Sequence, residues 1–161
     1  MDKSEMIAQL RKLRQRREDH ARDIVSAHRV GVDEARQDVE MASQMLAEHM
    51  RRAIDEQNAA VSGLANRVVK AAELHLAQSR YEASFAKAGQ IKARGETATL
   101  VQREREAGLA AARHRYLQSR KALMKLEKLA DQLDKRAAVR RAAEAELLDE
   151  DRMPRANNDV R

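Results

Sequence analysis

The side chains that most often perform chemistry in proteins are scattered along this chain. Its five histidines are His20, His28, His49, His75 and His114, and none has the HxxxH or HExxH spacing of a zinc site. There is no Cys, which excludes a thiol nucleophile and a disulfide framework. The five glycines are isolated and form no phosphate-binding loop. We therefore predict no catalytic residue, no metal ligand and no cofactor.

The composition favours helix over almost the whole length. The chain has 161 residues, of which 36% are charged, 30 are Ala and one is Pro. Large apolar side chains are too few for a thick core at this length, whereas Ala, Leu, Arg, Lys, Glu and Gln all favour helix. Adjacent carboxylates such as Asp33 and Glu34 are then expected on a solvated helix face, where no pocket raises their pKa.

Two stretches show the three- and four-residue spacing of a coiled-coil seam. The first runs through positions 6, 10, 13, 17, 20, 24 and 27. The second runs through positions 112, 116, 119, 123, 126, 130, 133, 137, 140, 144 and 147. Between them the pattern resumes at Ala35 after a four-residue step from Gly31, which is typical of a stutter.

Pairing the two stretches within one chain predicts an all-α fold, a long antiparallel two-helix coiled-coil hairpin. The hairpin is expected over 1–152 with its reversal within 62–78, or alternatively at 89–95, and with a disordered C-terminal tail over 153–161. Leu13 is then expected opposite Leu133.

The charge distribution agrees with an antiparallel pair. The acidic stretch 33–56 is expected beside the basic stretch 67–125, and the basic segment 11–17 close to the acidic segment 144–151. Because exposed ion pairs stabilise little, these charges are expected to select the register.

Two groups of residues are candidate partner-binding sites. The first is a basic cluster of Arg11, Lys12, Arg14, Arg16 and Arg17. The second is a soft apolar group of Met41, Met45 and Met50, since Met adapts to many contacts. Glu18, Asp19 and Asp23 interrupt the basic run and few aromatics are present to stack on bases, so nucleic acid is not the expected partner.

The N-terminus is charged and lacks the apolar core of a secretory signal, and no apolar run approaches a membrane span. These features predict a cytoplasmic protein without direct membrane insertion.

The order of segments resembles a known family. A basic start with Leu10-x-x-Leu13 is followed by 49–57 (HMRRAIDEQ), then by Tyr116, Leu123-x-x-Leu126-Glu127-Lys128-Leu129, and by the acidic close 144–150. This pattern is similar to the type III secretion stalk proteins of the YscO type and their flagellar relative FliJ. The flagellar members commonly carry Trp where this chain has Tyr116.

The resemblance implies a non-enzymatic, monomeric stalk associated with the secretion apparatus at the inner membrane. Its implied partners are the hexameric secretion ATPase at the basic end, the export-gate membrane protein toward the methionines and the tip, and secretion chaperones. Two alternatives remain open: a dimeric coiled-coil scaffold or chaperone, and a basic helical protein that binds nucleic acid.

Overall fold

A computed structural model of the chain describes residues 3–65 and 67–152. Helix α1 comprises Lys3–Leu64 and helix α2 comprises Ala71–Arg152. The two helices pack against each other in antiparallel order and the described residues contain no strand, which confirms the predicted all-α hairpin. The expected disordered tail, 153–161, lies outside the described residues.

The connection between the helices falls between Leu64 and Ala71. This position lies inside the expected range 62–78, whereas the alternative site at 89–95 is interior to α2. The backbone N–H of Lys70 donates to the Glu73 carboxylate at 3.3 Å. A Glu at the third helical position that caps the preceding backbone N–H is half of a capping box, which explains where α2 begins.

The described part of the chain divides into two compact units. Unit 1 contains the described residues up to Arg22 together with those from Arg115 onward, and unit 2 is Asp23–His114. In unit 2 the order of contacts shows the antiparallel register directly, because Arg36 contacts Glu106 whereas His49 contacts Ser84. In unit 1, Arg11 contacts Glu127.

The buried face of α1 follows an unbroken heptad, and the predicted phase of the first stretch is wrong by one residue. Its buried and half-buried positions include 7, 14, 18, 21, 25, 32, 35, 39, 42, 46, 49 and 53. The predicted positions Met6, Leu10, Leu13 and Ile24 are 47%, 41%, 48% and 38% exposed. Because the heptad from Val32 continues back to Val25 and Glu18 without interruption, the expected stutter between Gly31 and Ala35 is absent.

The second predicted stretch is correct over most of its length. Ala112 and Leu123 are buried, and Tyr116, Ser119, Leu126, Ala130 and Ala137 are half-buried. Leu133 and the last three predicted positions, 140, 144 and 147, are exposed.

The register of unit 1 explains why the seam of α2 ends near residue 137. With Arg11 opposite Glu127, the first described residue of α1 lies opposite about residue 135 of α2. No described residue of α1 therefore faces the segment 138–150, and every side chain in it is exposed.

The same register corrects two expectations about pairing. Arg11 pairs with Glu127 at 3.5 Å, so the acidic segment 144–150 is at least 17 residues further along α2, about 25 Å at 1.5 Å per residue. The basic segment 11–17 therefore does not contact it. Leu13 likewise faces a position near 125 instead of Leu133.

Candidate partner-binding surfaces

The heptad phase of α1 decides how the five predicted basic residues of unit 1 are presented. Arg14 is half-buried at a seam position, and Arg11 is held by Glu127. Lys12, Arg16 and Arg17 are exposed, and among the described residues none of the three has an ion-pair partner within 4.0 Å. Only these three cations of the cluster are therefore free to meet a partner.

Beside them lies an apolar stripe, and its three α1 residues were predicted to lie in the seam. Met6, Leu10 and Leu13 each precede a seam position of α1 by one residue, about 100° around the helix. In an antiparallel pair, side chains that precede the seam on either helix point to the same face. Leu129 of α2 lies on that face and is 56% exposed, and Leu133, a position of the α2 seam beside it, is 42% exposed.

We call these five residues, Met6, Leu10, Leu13, Leu129 and Leu133, the unit 1 apolar stripe. Arg17 lies on the same side of α1, four residues after Leu13. A stripe of large apolar side chains at the border of a narrow, Ala-rich seam, with free cations beside it, fits a protein partner with apolar and acidic groups. The spacing of the stripe was visible in the sequence, but its exposure was not.

The three methionines of unit 2 do not form one surface. All three are about half exposed, but Met45 and Met50 are separated by five residues, about 140° around the helix. Met41 and Met45 flank the seam on one side and Met50 flanks it on the other. Leu46, which lies between Met45 and Met50 in the chain, is half-buried in the seam itself.

Near the connection, unit 2 exposes further large apolar side chains on both helices. Ile54 and Val61 of α1 and Leu74, Tyr81 and Phe85 of α2 are all more than half exposed. Ile54 and Met50 follow the seam of α1 and Phe85 follows the seam of α2, so these three point to one face. Tyr81 lies at the edge of the α2 seam beside them. This apolar face is the counterpart, in unit 2, of the apolar stripe in unit 1.

One groove in unit 2 concentrates charge. It has a volume of about 420 Å³ and is lined by Arg29, Val32, Asp33, Arg36, Glu106, Leu109, Ala110 and Arg113. Arg36 donates to the Glu106 carboxylate at 3.1 Å and lies 4.0 Å from Asp33. Arg29 and Arg113 have no ion-pair partner within the described part of the chain.

Glu106 is held ionised in this groove. Its pKa lies below the ordinary value of 4.5, first because Gln102 donates a hydrogen bond to it and second because Arg36 does so. A carboxylate with a lowered pKa is a poor proton donor at neutral pH. The groove therefore offers a salt-bridged, charged surface.

The described residues contain neither a metal-binding cluster nor a membrane-spanning stretch. Within residues 3–65 and 67–152, no group of three or more His, Cys, Asp or Glu side chains is arranged to hold a metal ion. Neither α1 nor α2 contains a stretch that is both long and apolar enough to span a bilayer.

The comparisons with known proteins add no relative. No protein-family model, no curated protein and no solved structure matches this chain.

Proposed function

We propose that this chain is the non-enzymatic central stalk of a bacterial type III secretion apparatus. In this role it binds the hexameric secretion ATPase, links it to the export-gate membrane protein, and escorts secretion chaperones. The proposal rests on the resemblance described above together with one structural observation, the unit 1 apolar stripe with its free cations. A stalk needs an interaction surface of this kind on an antiparallel helix pair, whereas an enzyme that acts in a pocket does not need one.

Unit 1 supplies the ATPase contact in this proposal. The stripe residues Leu10 and Leu13 bury apolar area against the ring, and Lys12, Arg16 and Arg17 select an acidic rim. Burial of apolar area gives affinity, while surface charges mainly raise the association rate and suppress wrong partners. The apolar face near Met50 and Phe85 is assigned to the export gate.

The functional consequence follows from symmetry. A single helical hairpin has no six-fold symmetry, so it contacts the subunits of a hexameric ring unequally. If it binds the closed form of a subunit more tightly than the open form, it biases which subunit closes on nucleotide. The stalk needs no catalytic group of its own to change the turnover of the ring.

The decisive experiment measures ATP turnover by a hexameric type III secretion ATPase from the same source as this chain. We expect the wild-type protein to raise its ATP turnover or to promote hexamer assembly. Lys12, Arg16 and Arg17, changed together to Glu, should weaken binding at least tenfold while helicity and melting stay unchanged. A second variant, with Leu10 and Leu13 both changed to Ser, should also bind weakly, because it loses apolar area at the interface.

A matched control separates this surface from a general effect of charge. Arg80, Lys87 and Lys92 are exposed cations of unit 2 that lack ion pairs with described residues. Changing all three to Glu alters the net charge by the same amount and should leave ATPase binding unchanged. If wild-type protein affects neither turnover nor assembly, the stalk function is wrong; if both triple variants bind equally well, only the assignment to unit 1 is wrong.

A further inference from the structure

The last part of α2 has no partner helix among the described residues. The register of unit 1 leaves no described residue of α1 opposite 138–150, and all side chains in that segment are exposed. Val139 and Leu147 are 70% and 63% exposed. An isolated helix of this length is marginal in water, and most helices in proteins are stabilised by packing of one face.

The charges of this segment are separated along its length. The bases come first, at Lys135, Arg136, Arg140 and Arg141, and the acids follow, at Glu144, Glu146, Asp149 and Glu150. Acidic side chains near the C-terminal end of a helix are unfavourable, because the carbonyl end of the helix dipole is itself negative. The order of charges is therefore opposite to the order that would stabilise α2 by itself.

Contacts within the segment do not neutralise these charges. Nε of Arg140 donates to the backbone carbonyl of Arg136 at 3.4 Å, and Nε of Arg141 donates to that of Ala137 at 3.3 Å. Among the described residues, Glu146 and Glu150 have no cation within 4.0 Å. Both the bases and the acids are available to groups from outside the chain.

One face of the segment carries both kinds of charge and the apolar residues. At about 100° per residue, the positions that share this face are Arg136, Val139, Arg140, Ala143, Glu146, Leu147 and Glu150. An open surface lined by Lys135, Arg136, Val139 and Arg140 begins on the same face. Ala143 lies at the centre of the seven-residue face, where its small side chain permits close approach of a second helix.

We propose that this face binds the same face of a second copy of the chain in antiparallel orientation. With Ala143 opposite Ala143, Arg136 of each copy faces Glu150 of the other, and the basic half of each segment lies beside the acidic half of the other copy. Val139 and Leu147 contribute apolar area on the two sides of the same contact. Parallel pairing would place bases against bases, so the charges select the antiparallel arrangement.

The contact is short, so the dimer is expected to be weak and sensitive to salt. The surface area that it buries is expected to fall below the roughly 1,200 Å² of a standard stable interface. Its exposed ion pairs are screened by salt, because the Debye length shrinks to about 3 Å at 1 M. The association concerns the isolated chain and does not rest on the stalk function. A copy that enters an ATPase ring alone first has to release its partner.

Two charge-reversed variants, measured separately and as a mixture, test the proposed contact. Variant A carries Arg136→Glu and Arg140→Glu, and variant B carries Glu146→Arg and Glu150→Arg. Each variant alone presents charges of one sign on this face in both copies, whereas an equimolar mixture of A with B restores opposite charges across the contact. By sedimentation at chain concentrations of about 1 µM to 1 mM, wild type should dimerise, A and B alone should dimerise at least tenfold more weakly, and the mixture should recover wild-type association.

Cross-linking tests the register independently of these variants. Because the chain has no Cys, Ala143→Cys introduces a single thiol at the centre of the contact. A disulfide needs the two Cα atoms within about 7 Å, so mild oxidation should trap the dimer at low salt and trap less of it at high salt. Ala111→Cys, at an exposed position of unit 2, is the control and should not cross-link.

Each of three results would overturn the proposal. Wild type could sediment as a monomer throughout the concentration range. Variants A and B could dimerise as well as wild type, which would place the contact elsewhere. The thiols at positions 143 and 111 could cross-link equally, which would indicate random collision. If a charge-reversed variant loses helicity, the cross-linking of the otherwise native chain decides the question.

Discussion

Nε2 of His49 lies 2.9 Å from the backbone carbonyl oxygen of Ser84, across the interface between α1 and α2. Because a carbonyl oxygen can only accept, this nitrogen carries a proton and donates it. The contact joins a seam position of α1 to a seam position of α2, where both side chains are half-buried. A polar residue that bonds across a seam of Ala and Leu specifies which residues face each other.

Replacing His49 tests that contact. His49→Ala removes the donor between the helices of unit 2 and should lower the free energy of unfolding by about 1 kcal/mol, measured by urea denaturation. His75→Ala, at an exposed position of the same unit, is the control and should change stability by less than about 0.5 kcal/mol. Equal effects of the two substitutions would mean that the bond to Ser84 contributes nothing.

The seam of unit 1 depends on Leu123, which is 8% exposed. Leu123→Asp loses the burial of an apolar side chain and places a charge between the helices, so unfolding should become easier by about 3 kcal/mol or more. Leu117→Asp, six residues earlier at an exposed position, should be close to neutral. Thermal melts followed by circular dichroism make the comparison, and a wild-type melting temperature for Leu123→Asp would contradict the described seam.

Two glycines inside α2 are expected to respond differently to the same substitution. A Cβ at Gly89 would meet nothing within 4 Å, so Gly89→Ala should stabilise the chain by about 0.8–1 kcal/mol through helix propensity. A Cβ at Gly108 would lie 3.3 Å from the His28 ring, so Gly108→Ala must displace that ring and should gain less. Urea denaturation of both variants measures the difference, and an equal gain at both positions would show that His28 moves freely.

The groove of unit 2 predicts a dependence of stability on acid pH. The folded pKa of Glu106 is below its ordinary value of 4.5, so on acidification the unfolded chain binds a proton before the folded chain does. The stabilisation from Glu106 is therefore fully present above the ordinary pKa of 4.5, which the unfolded chain has. It is lost as the pH falls from that value through the lower pKa of the folded chain. Unfolding free energies of Glu106→Gln should fall less steeply in this range than those of wild type.

A matched variant is needed because many carboxylates titrate in the same range. Glu104 is exposed and makes no hydrogen bond or ion pair with the described residues, so Glu104→Gln should keep the wild-type pH profile. If Glu106→Gln and Glu104→Gln give the same profile, the hydrogen bonds from Gln102 and Arg36 do not stabilise the fold.

Much of the fold is determined by local properties of the sequence. The Ala, Leu, Glu, Lys and Arg content and the absence of Pro before 154 act residue by residue, so the two long helices could be predicted. The seam of α2 from Ala112 to Ala137 was also predictable, because its large apolar residues and its buried positions coincide. The position of the connection followed from matching the two apolar stretches, although the assumed pairs were several residues out of register.

The heptad phase of the buried face of α1 could not be predicted from the local apolar pattern. Met6, Leu10, Leu13 and Ile24 have the right spacing and the more apolar side chains, yet the buried face near them includes Arg14, Glu18 and Ala21. A helix cannot change phase without local unwinding, so the longer run through Val25, Val32, Val39 and Leu46 decides which face is buried.

The sequence by itself therefore determined the helices and their antiparallel pairing, because these depend on composition and periodicity. Only the tertiary structure decided which cations of the basic cluster lack ion pairs with described residues, that the apolar stripe of unit 1 is exposed, and that no described residue of α1 faces the end of α2. These features depend on the register between two helices, and a shift of one position along either helix turns every side chain by about 100°.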